Sequence, residues 1–210
     1  HSMEELDSYD GATDVIIMRG GSRDDLPVQS PMLAAKFNII DSFDTHARMP
    51  EHFAMVDKEA LATQHTALIA AGWDPGLFSL NRLFGEAILP QGETYTFWGR
   101  GLSQGHSDAI RRVAGVKAGV QYTVPAEDAI ARVRSGEQPK LSTREKHERV
   151  CYVVLDDGAD PDQITREIQT MPDYFADYDT SVNFISQQEL HRDHAAMPHG
   201  GFVIRSGETG

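Results

Sequence analysis

The sequence predicts an α/β protein in which a parallel β-sheet is followed by an α+β region. Two observations support this prediction. Up to about residue 75, short apolar segments alternate with helical patterns at short intervals, as they do in parallel βαβ units. From about residue 76, longer strand patterns favour a mixed, mostly antiparallel sheet with helices on one face. We therefore expect two domains, residues 1–75 and residues 76–210.

The first region contains three short apolar segments that predict buried strands, at 15–19, 38–41 and 67–71. Two helices are expected between them. The first spans 25–37, and its apolar side carries Leu26, Leu33 and Phe37. The second spans 50–65 and begins with Pro and Glu, which favour a first helical turn. Its apolar positions, at helical spacing, are Phe53, Val56 and Ala60.

The second region has a different order of elements. The expected strands are 94–99, 116–124, 148–155, 180–186 and 201–206. The expected helices are 76–89, 126–137 and 160–171. Pro161 takes the first helical position after Asp160, and the apolar stripe that follows is Ile164, Ile168 and Met171. The polar stretch 135–147 predicts a mobile loop.

Composition narrows the class of protein. The net charge of −13 argues against a nucleic-acid partner, because phosphate binding needs a basic surface. No apolar run approaches the roughly 20 residues that a membrane-spanning helix needs. Cys151 is the only cysteine, so no internal disulfide can form, which suits the cytoplasm. Its place inside a strand predicts an inert core thiol.

Three turns follow the predicted parallel strands: Arg19–Ser22, Asp41–Asp44 and Gly72–Gly76. Ligands of open parallel sheets bind beyond the carboxyl ends of the strands, so these turns are expected to line one crevice. Asp44 and Asp74 would face that crevice, with Phe43 and Trp73 as walls. Two carboxylates suit an ammonium group. The alternative is that each Asp is a helix cap or turn former.

The second region contains residues that suit an anionic ligand, in contrast to the two carboxylates of the first region. Residues 101–112 form a Gly-Ser-Gly loop that leads into a helix, whose first N–H groups can bind an anion. Arg149, Thr123 and His199 together suit a carboxylate. The alternative for Arg149 is a surface ion pair with Glu148 or another acid, and for His199 a structural role in a turn or helix cap.

Two other kinds of site have weak support. Three histidines within nine positions suggest zinc, namely His191, His194 and His199, but no His-Glu-x-x-His motif is present. A serine nucleophile lacks a Gly-x-Ser-x-Gly turn. We therefore expect no metal.

Five longer blocks resemble one enzyme family: GWDPGLFSLNR, TFWGRGLSQGHSDAIRRVAGV, QYTVPAEDA, MPDYF and MPHGG. Together they resemble the meso-diaminopimelate dehydrogenases along nearly the whole chain. The resemblance implies that the first region is the latter part of a Rossmann-type sheet, and that the second is a substrate-binding and dimerisation domain of a homodimer. It also implies NADP-dependent oxidative deamination of meso-2,6-diaminopimelate at its D-centre, giving L-2-amino-6-oxopimelate, which cyclises to tetrahydrodipicolinate.

The resemblance also implies roles for individual residues. The catalytic acids near the D-amino group would be Asp44 and Asp74. The substrate would further contact Trp98, Gln104, Gly105, Thr123, Arg149 and His199. The cofactor would lie against Arg19, Gly20, Gly21, Ser22, Ser42, Phe43, Asp44, Gly72, Trp73, Asp74 and Pro75.

One departure from the family is clear. The chain contains no Gly-x-Gly-x-x-Gly turn for the pyrophosphate, and it ends before the family's C-terminal stretch. We therefore expect an internal fragment that is inactive by itself, and assign the activity to the parent enzyme. Two alternatives stay open: a related amino-acid dehydrogenase with another substrate, or a non-catalytic module that binds substrate or forms a dimer.

Overall fold

The computed structural model describes residues 3–9, 11–196 and 198–209. The chain divides into two compact units, His1–Phe84 and Gly85–Gly210, and the division falls within one helix, α3 (Leu77–Ile88). The expected domain boundary near residue 75 stays a prediction. No helix among the described residues is long and apolar enough to cross a bilayer.

The first unit contains a three-stranded parallel sheet in the order β1 (Ile16–Ile17), β2 (Ile39–Ile40) and β3 (Ala67–Leu68). Helix α1 (Leu26–Ala34) joins β1 to β2, and α2 (Met49–Thr63) joins β2 to β3. The parallel arrangement confirms the sequence prediction. The hydrogen-bonded strands are shorter than expected, because each strand pairs over only two residues before the chain enters a turn.

The core of the first unit lies between the sheet and the two helices. The apolar side predicted for the first helix is confirmed, since Leu26 and Leu33 of α1 and Phe37, three residues after its end, are buried. In α2 the prediction is wrong at Phe53, whose side chain is 57% exposed. The buried stripe is instead His52, Val56 and Ala60, at four-residue spacing. A buried histidine takes the position that an apolar pattern assigns to a neighbouring phenylalanine.

The second unit contains two sheets. One pairs β4 (Gln91–Phe97) with β9 (Phe202–Glu208), antiparallel. The other has the order β5 (Gly101–Leu102), β6 (Val116–Pro125), β7 (His147–Leu155) and β8 (Asp179–Phe184). Its first two pairs are antiparallel and β7–β8 is parallel, so the sheet is mixed, as predicted.

The helices of the second unit are α4 (Gln104–Arg111), α5 (Glu127–Arg134), α6 (Thr143–Lys146), α7 (Pro161–Gln169) and α8 (Gln187–Asp193). Helices α4 and α7 pack on the sheet face that carries Cys151 and Val153. The expectation that helices cover one face only is wrong, because His194, at the end of α8, stacks on Tyr152 of the opposite face.

Two local expectations in the second unit have clear outcomes. The start of α7 is as predicted: Pro161 is its first residue, and the Asp160 carboxylate accepts the N–H groups of Asp162 and Gln163. The stretch 135–147 is not wholly a loop. It contains α6, which a capping box between Ser142 and Glu145 stabilises, and its last residue already begins β7.

Candidate functional site

The three turns of the first unit meet at the carboxyl edge of the parallel sheet, which we call the strand-end edge. The Asp44 N–H donates to the Ser22 hydroxyl over 2.9 Å, joining the first two turns. The Ala71 N–H, one residue before the third turn, donates to the Asp41 carbonyl of the second turn over 2.8 Å. A Cβ added to Gly72 would lie 3.7 Å from that of Ser42. The three turns therefore lie side by side, and that they line one ligand crevice stays a prediction.

The first turn carries Arg19, Gly20, Gly21 and Ser22. Gly20 is packed tightly, since an added Cβ would lie 2.7 Å from the Cβ of Asp25. The Gly21 N–H donates to the Asp25 carboxylate over 2.8 Å. Arg19 is exposed at the end of the turn. The turn therefore folds closely over the start of α1.

The third turn, 72–76, is a closed loop. Gly76 has a φ of +133°, and an added Cβ would lie 2.0 Å from the Gly72 carbonyl oxygen, so glycine is required there. The peptide bond before Pro75 is cis. Trp73 is half exposed, with its ring centroid 5.5 Å from that of Phe78. This exposure is consistent with a wall of the crevice.

Phe43 does not form a wall. Its side chain is fully buried and stacks on the His52 ring, with centroids 3.9 Å apart and planes 10° from parallel. Because this ring packs on His52 of α2 in the core, Phe43 can offer the strand-end edge only its backbone.

The two candidate acids have different surroundings. Asp44 is exposed. The Asp74 side chain is 16% exposed and pairs with both terminal nitrogens of Arg82 on α3. His46 reaches the same turn, with Nε2 3.3 Å from the Asp74 carbonyl oxygen. The structure thus gives Asp74 a structural partner that the sequence interpretation did not include.

The second unit places Arg149 and Thr123 opposite each other on β7 and β6. Both are 6% exposed, and Arg149 Nη1 donates to the Thr123 hydroxyl. The guanidinium lies over the Tyr178 ring, 3.8 Å from its centroid. Burial lowers the pKa of Arg149, although Tyr178 opposes this shift. Arg149 has no acidic partner among the described residues, so the alternative of a surface ion pair with Glu148 is wrong.

Gln121 extends this cluster. It is fully buried, and its Nε2 donates to Thr123 Oγ1 over 3.3 Å. Two donors therefore point at the Thr123 oxygen, which leaves the hydroxyl hydrogen for an acceptor. Gln121 Oε1 and Arg149 Nε are buried without a hydrogen-bond partner. A cluster of one cation and oriented donors without an acid suits a carboxylate ligand.

The start of α4 lies beside this cluster. Its N-cap, Ser103, has its hydroxyl 2.9 Å from His106 Nδ1. Burial, and then the charge of Arg149, lower the pKa of His106 to about 4. Gln104 and Gly105 are exposed in the first turn, and an added Cβ at Gly105 would meet nothing within 4 Å. Neutral His106 thus lies against the N-cap of a helix whose first turn is exposed.

Trp98 and His199 are close, with ring centroids 6.0 Å apart. Backbone hydrogen bonds hold the loop of His199: the Leu102 N–H donates to the Pro198 carbonyl, and the Gly99 N–H to the Gly200 carbonyl. The Trp98 N–H donates to His147 Nε2 over 2.9 Å. Met197, in the same MPHGG block, lies outside the described residues.

Sequence reasoning missed four residues of this site: Gln121, His106, His147 and Tyr178. Gln121 and His147 lie two positions before Thr123 and Arg149 on the same strands, so strand alternation could have found them. Tyr178 follows Arg149 by 29 positions and carries no pattern that could have found it.

The weaker candidates have other partners. His191 contacts Gln187, and His194 is 2.9 Å from the Tyr122 hydroxyl. Within the described residues, no group of three His, Cys, Asp or Glu side chains could hold a metal ion. Burial raises the pKa of Cys151 to about 12, so its thiol is inert.

The fold and the clusters define an α/β protein with three adjoining turns at the end of a parallel sheet and a buried arginine cluster on a mixed sheet. The family model "Diaminopimelic acid dehydrogenase C-terminal domain" matches residues 72–210. The chain therefore belongs to the diaminopimelic acid dehydrogenase family.

Curated relatives extend the similarity over nearly the whole chain. Meso-diaminopimelate D-dehydrogenase of Ureibacillus thermosphaericus is 60% identical over 207 residues, which cover 99% of this chain and 64% of that protein. The Corynebacterium glutamicum protein of the same name is 44% identical over 206 residues, covering 98% and 64%. The chain thus spans 64% of the length of these relatives.

Solved structures of similar proteins match the fold over the whole chain. The C. glutamicum DAP dehydrogenase in complex with DAP has a TM-score of 0.92 and 43% identity, with 100% of this chain and 65% of that chain covered. An engineered D-amino acid dehydrogenase bound to NADP+ has a TM-score of 0.86 and 41% identity, with 100% and 66% covered.

Proposed function

We propose that the protein is an NADP-dependent oxidoreductase that acts on the CH–NH2 group at the D-centre of meso-2,6-diaminopimelate. The product would be L-2-amino-6-oxopimelate, which cyclises to tetrahydrodipicolinate on the route to lysine and the cell wall. The observation that carries the proposal is the buried Arg149–Thr123 pair without an acidic partner, in a family whose similar members include a complex with DAP.

The substrate assignments follow from the charges of each cluster. Arg149, Thr123 and His199 would hold the distal L-carboxylate, with Trp98 beside the carbon chain. The first turn of α4, at Gln104 and Gly105, would receive the D-carboxylate. With both ends of the acid held, only one stereocentre is presented for oxidation.

Asp44 and Asp74 would hold the D-amino group and assist its loss of protons. The pair with Arg82 fixes the orientation of the Asp74 carboxylate. Loss of hydride from the D-carbon leaves an iminium. Water adds to this carbon, ammonium leaves, and the keto acid remains.

The fit of NADP to the residues present is partial. The three turns give glycine backbone at Gly20, Gly21 and Gly72, a hydroxyl at Ser42 and an exposed aromatic ring at Trp73, which suit a nucleotide at a strand-end edge. A Gly-x-Gly-x-x-Gly motif is not in the sequence, so the pyrophosphate contacts are not among these residues. When bound, NADP+ accepts the hydride.

We further propose a cytoplasmic homodimer that binds neither nucleic acid nor membrane. Helix α3 supports the dimer, because an apolar stripe along it is exposed: Leu77, Leu80, Phe84 and Ile88. The net charge of −13 opposes binding to nucleic acid and to anionic lipid surfaces.

The test compares Arg149→Met with Arg144→Met in the whole protein. Arg144 is an exposed arginine of the same unit that pairs with Asp179, so its variant controls for loss of a charge. We expect Arg149→Met to raise KM for diaminopimelate at least about 100-fold and to change KM for NADP+ little, since an unpaired ligand carboxylate costs roughly 3 kcal/mol or more. Equal losses for both ligands would contradict the assigned role.

A substrate panel separates the closest alternative. The similarity to an engineered D-amino acid dehydrogenase makes a broader D-amino acid substrate a specific second candidate. Strict preference for the meso isomer over simple D-amino acids supports the proposal. Comparable rates on D-amino acids that lack a distal carboxylate would favour the second candidate.

A further inference from the structure

We propose that Asp41 is a positioning residue that fixes the second and third turns of the strand-end edge, so that NADP binding depends on this buried carboxylate. The inference rests on the proposed function. Asp41 is 1% exposed at the end of β2 and is not among the residues expected to touch the cofactor.

The two carboxylate oxygens of Asp41 serve different parts of the unit. Oδ1 accepts the N–H groups of Phe43, in the second turn, and of Ala70, two residues before the third turn, over 3.1 and 2.9 Å. Oδ2 accepts the Ser30 hydroxyl of α1 and is 2.7 Å from His52 Nε2 of α2. A single side chain therefore links both connecting helices to both turns.

The bond to Ala70 holds a strained residue. Ala70 has a φ of +57°, in the left-handed region that costs an L-residue free energy. Such a conformation persists only where its surroundings enforce it. Asp41 does so twice, because its carboxylate accepts the Ala70 N–H and its carbonyl accepts the Ala71 N–H. Ala70 is where the chain leaves β3 for the 72–76 turn.

His52 completes the arrangement. Its ring bonds to Asp41 through Nε2 and stacks on Phe43, so it holds the carboxylate and the second turn together. An ionised carboxylate is only an acceptor, so the His52 Nε2 must carry the hydrogen. Helices α1 and α2 and the second and third turns thus depend on the ionised side chain of Asp41.

Asp41→Asn keeps the size of the side chain but offers one acceptor oxygen instead of two, so it cannot serve the turns and the helices together. We expect KM for NADP+ to rise about tenfold or more, and kcat at saturating NADP+ to fall as well, because Asp44 and Asp74 lie in the same turns. KM for diaminopimelate should change less than about threefold, because its two carboxylates are assigned to the second unit. His52→Gln is the second variant, and we expect the same direction of change.

Asp160→Asn is the matched control. Asp160 also accepts two backbone N–H groups, at the start of α7, where Asn is an equally good cap, so neither KM should change. A folded Asp41→Asn with unchanged KM for NADP+, or with both KM values raised equally, would overturn the inference. If Asp41→Asn does not fold, His52→Gln decides, and failure of both variants to fold would show a purely structural role. Wild-type protein that does not oxidise diaminopimelate would refute the proposed function instead, whatever the variants do.

Discussion

Acidification from pH 7 to pH 4 should destabilise the second unit through His147, the first residue of β7. This imidazole is 6% exposed, and its Nε2 accepts the Trp98 N–H, so a proton cannot be added there without breaking that hydrogen bond. Burial lowers the pKa of His147 to about 4, and the charges of Arg149 and Lys146 add to the effect.

The sign and size of the effect follow from this shift. Between pH 6.5 and about pH 4 the unfolded chain binds the proton and the folded chain does not, so folding loses stability as the pH falls. One imidazole with this shift costs about 2 kcal/mol at pH 5 and about 3 kcal/mol at pH 4. His106 has the same shift and adds a loss in the same direction.

The assay is urea unfolding at several pH values, followed by the fluorescence of the two tryptophans, Trp73 and Trp98. His147→Gln keeps an acceptor for the Trp98 N–H but does not titrate. Its free energy of unfolding should therefore fall by about 2 kcal/mol less than wild type between pH 7 and pH 5. His191→Gln, at an exposed position in α8, is the control and should keep the wild-type dependence. A His147→Gln protein with the wild-type dependence would refute the reasoning.

Three further predictions concern single side chains. Asp74→Asn should lower kcat about tenfold or more with the fold retained by circular dichroism, because the ammonium loses an ionised partner; an unfolded variant would show that the pair with Arg82 is only structural. Gly76→Ala should cost at least about 3 kcal/mol in urea unfolding, because strain and a backbone clash add, whereas Gly136→Ala, with a positive φ in open space, should cost about 1 kcal/mol. Gln121→Leu should raise KM for diaminopimelate about tenfold and leave KM for NADP+ unchanged, since Thr123 loses a fixed donor; equal changes in both would contradict this.

The parts of the fold that the sequence predicts are those set by local pattern. The strand–helix alternation up to residue 75 and the Asp-Pro start of α7 need only nearby residues, and the structure has both. The meeting of the three turns follows from a general property of parallel sheets, which aligns their carboxyl ends whatever the side chains are.

The predictions that are wrong concern residues whose position is set by partners elsewhere in the sequence. Phe43 has the composition of a crevice wall, but a histidine of α2 stacks on it in the core. Phe53 has the spacing of a core residue, yet His52 takes the inward position because Asp41 offers it an acceptor. A buried polar pair of this kind overrides an apolar pattern, and neither residue shows it when considered alone.

The burial of Arg149 is better explained by a role in binding a ligand than by a contribution to the stability of the fold. A buried guanidinium without an acid is costly, because desolvation is not offset by an opposite charge. Thr123 and the Tyr178 ring offset part of that cost, but Nε keeps no partner and burial lowers the pKa of the group. In a chain with a net charge of −13, acids for pairing are abundant, yet none of the described ones forms an ion pair with this arginine. A carboxylate that arrives with the substrate would supply the missing charge, so binding would relieve a cost that folding leaves in place.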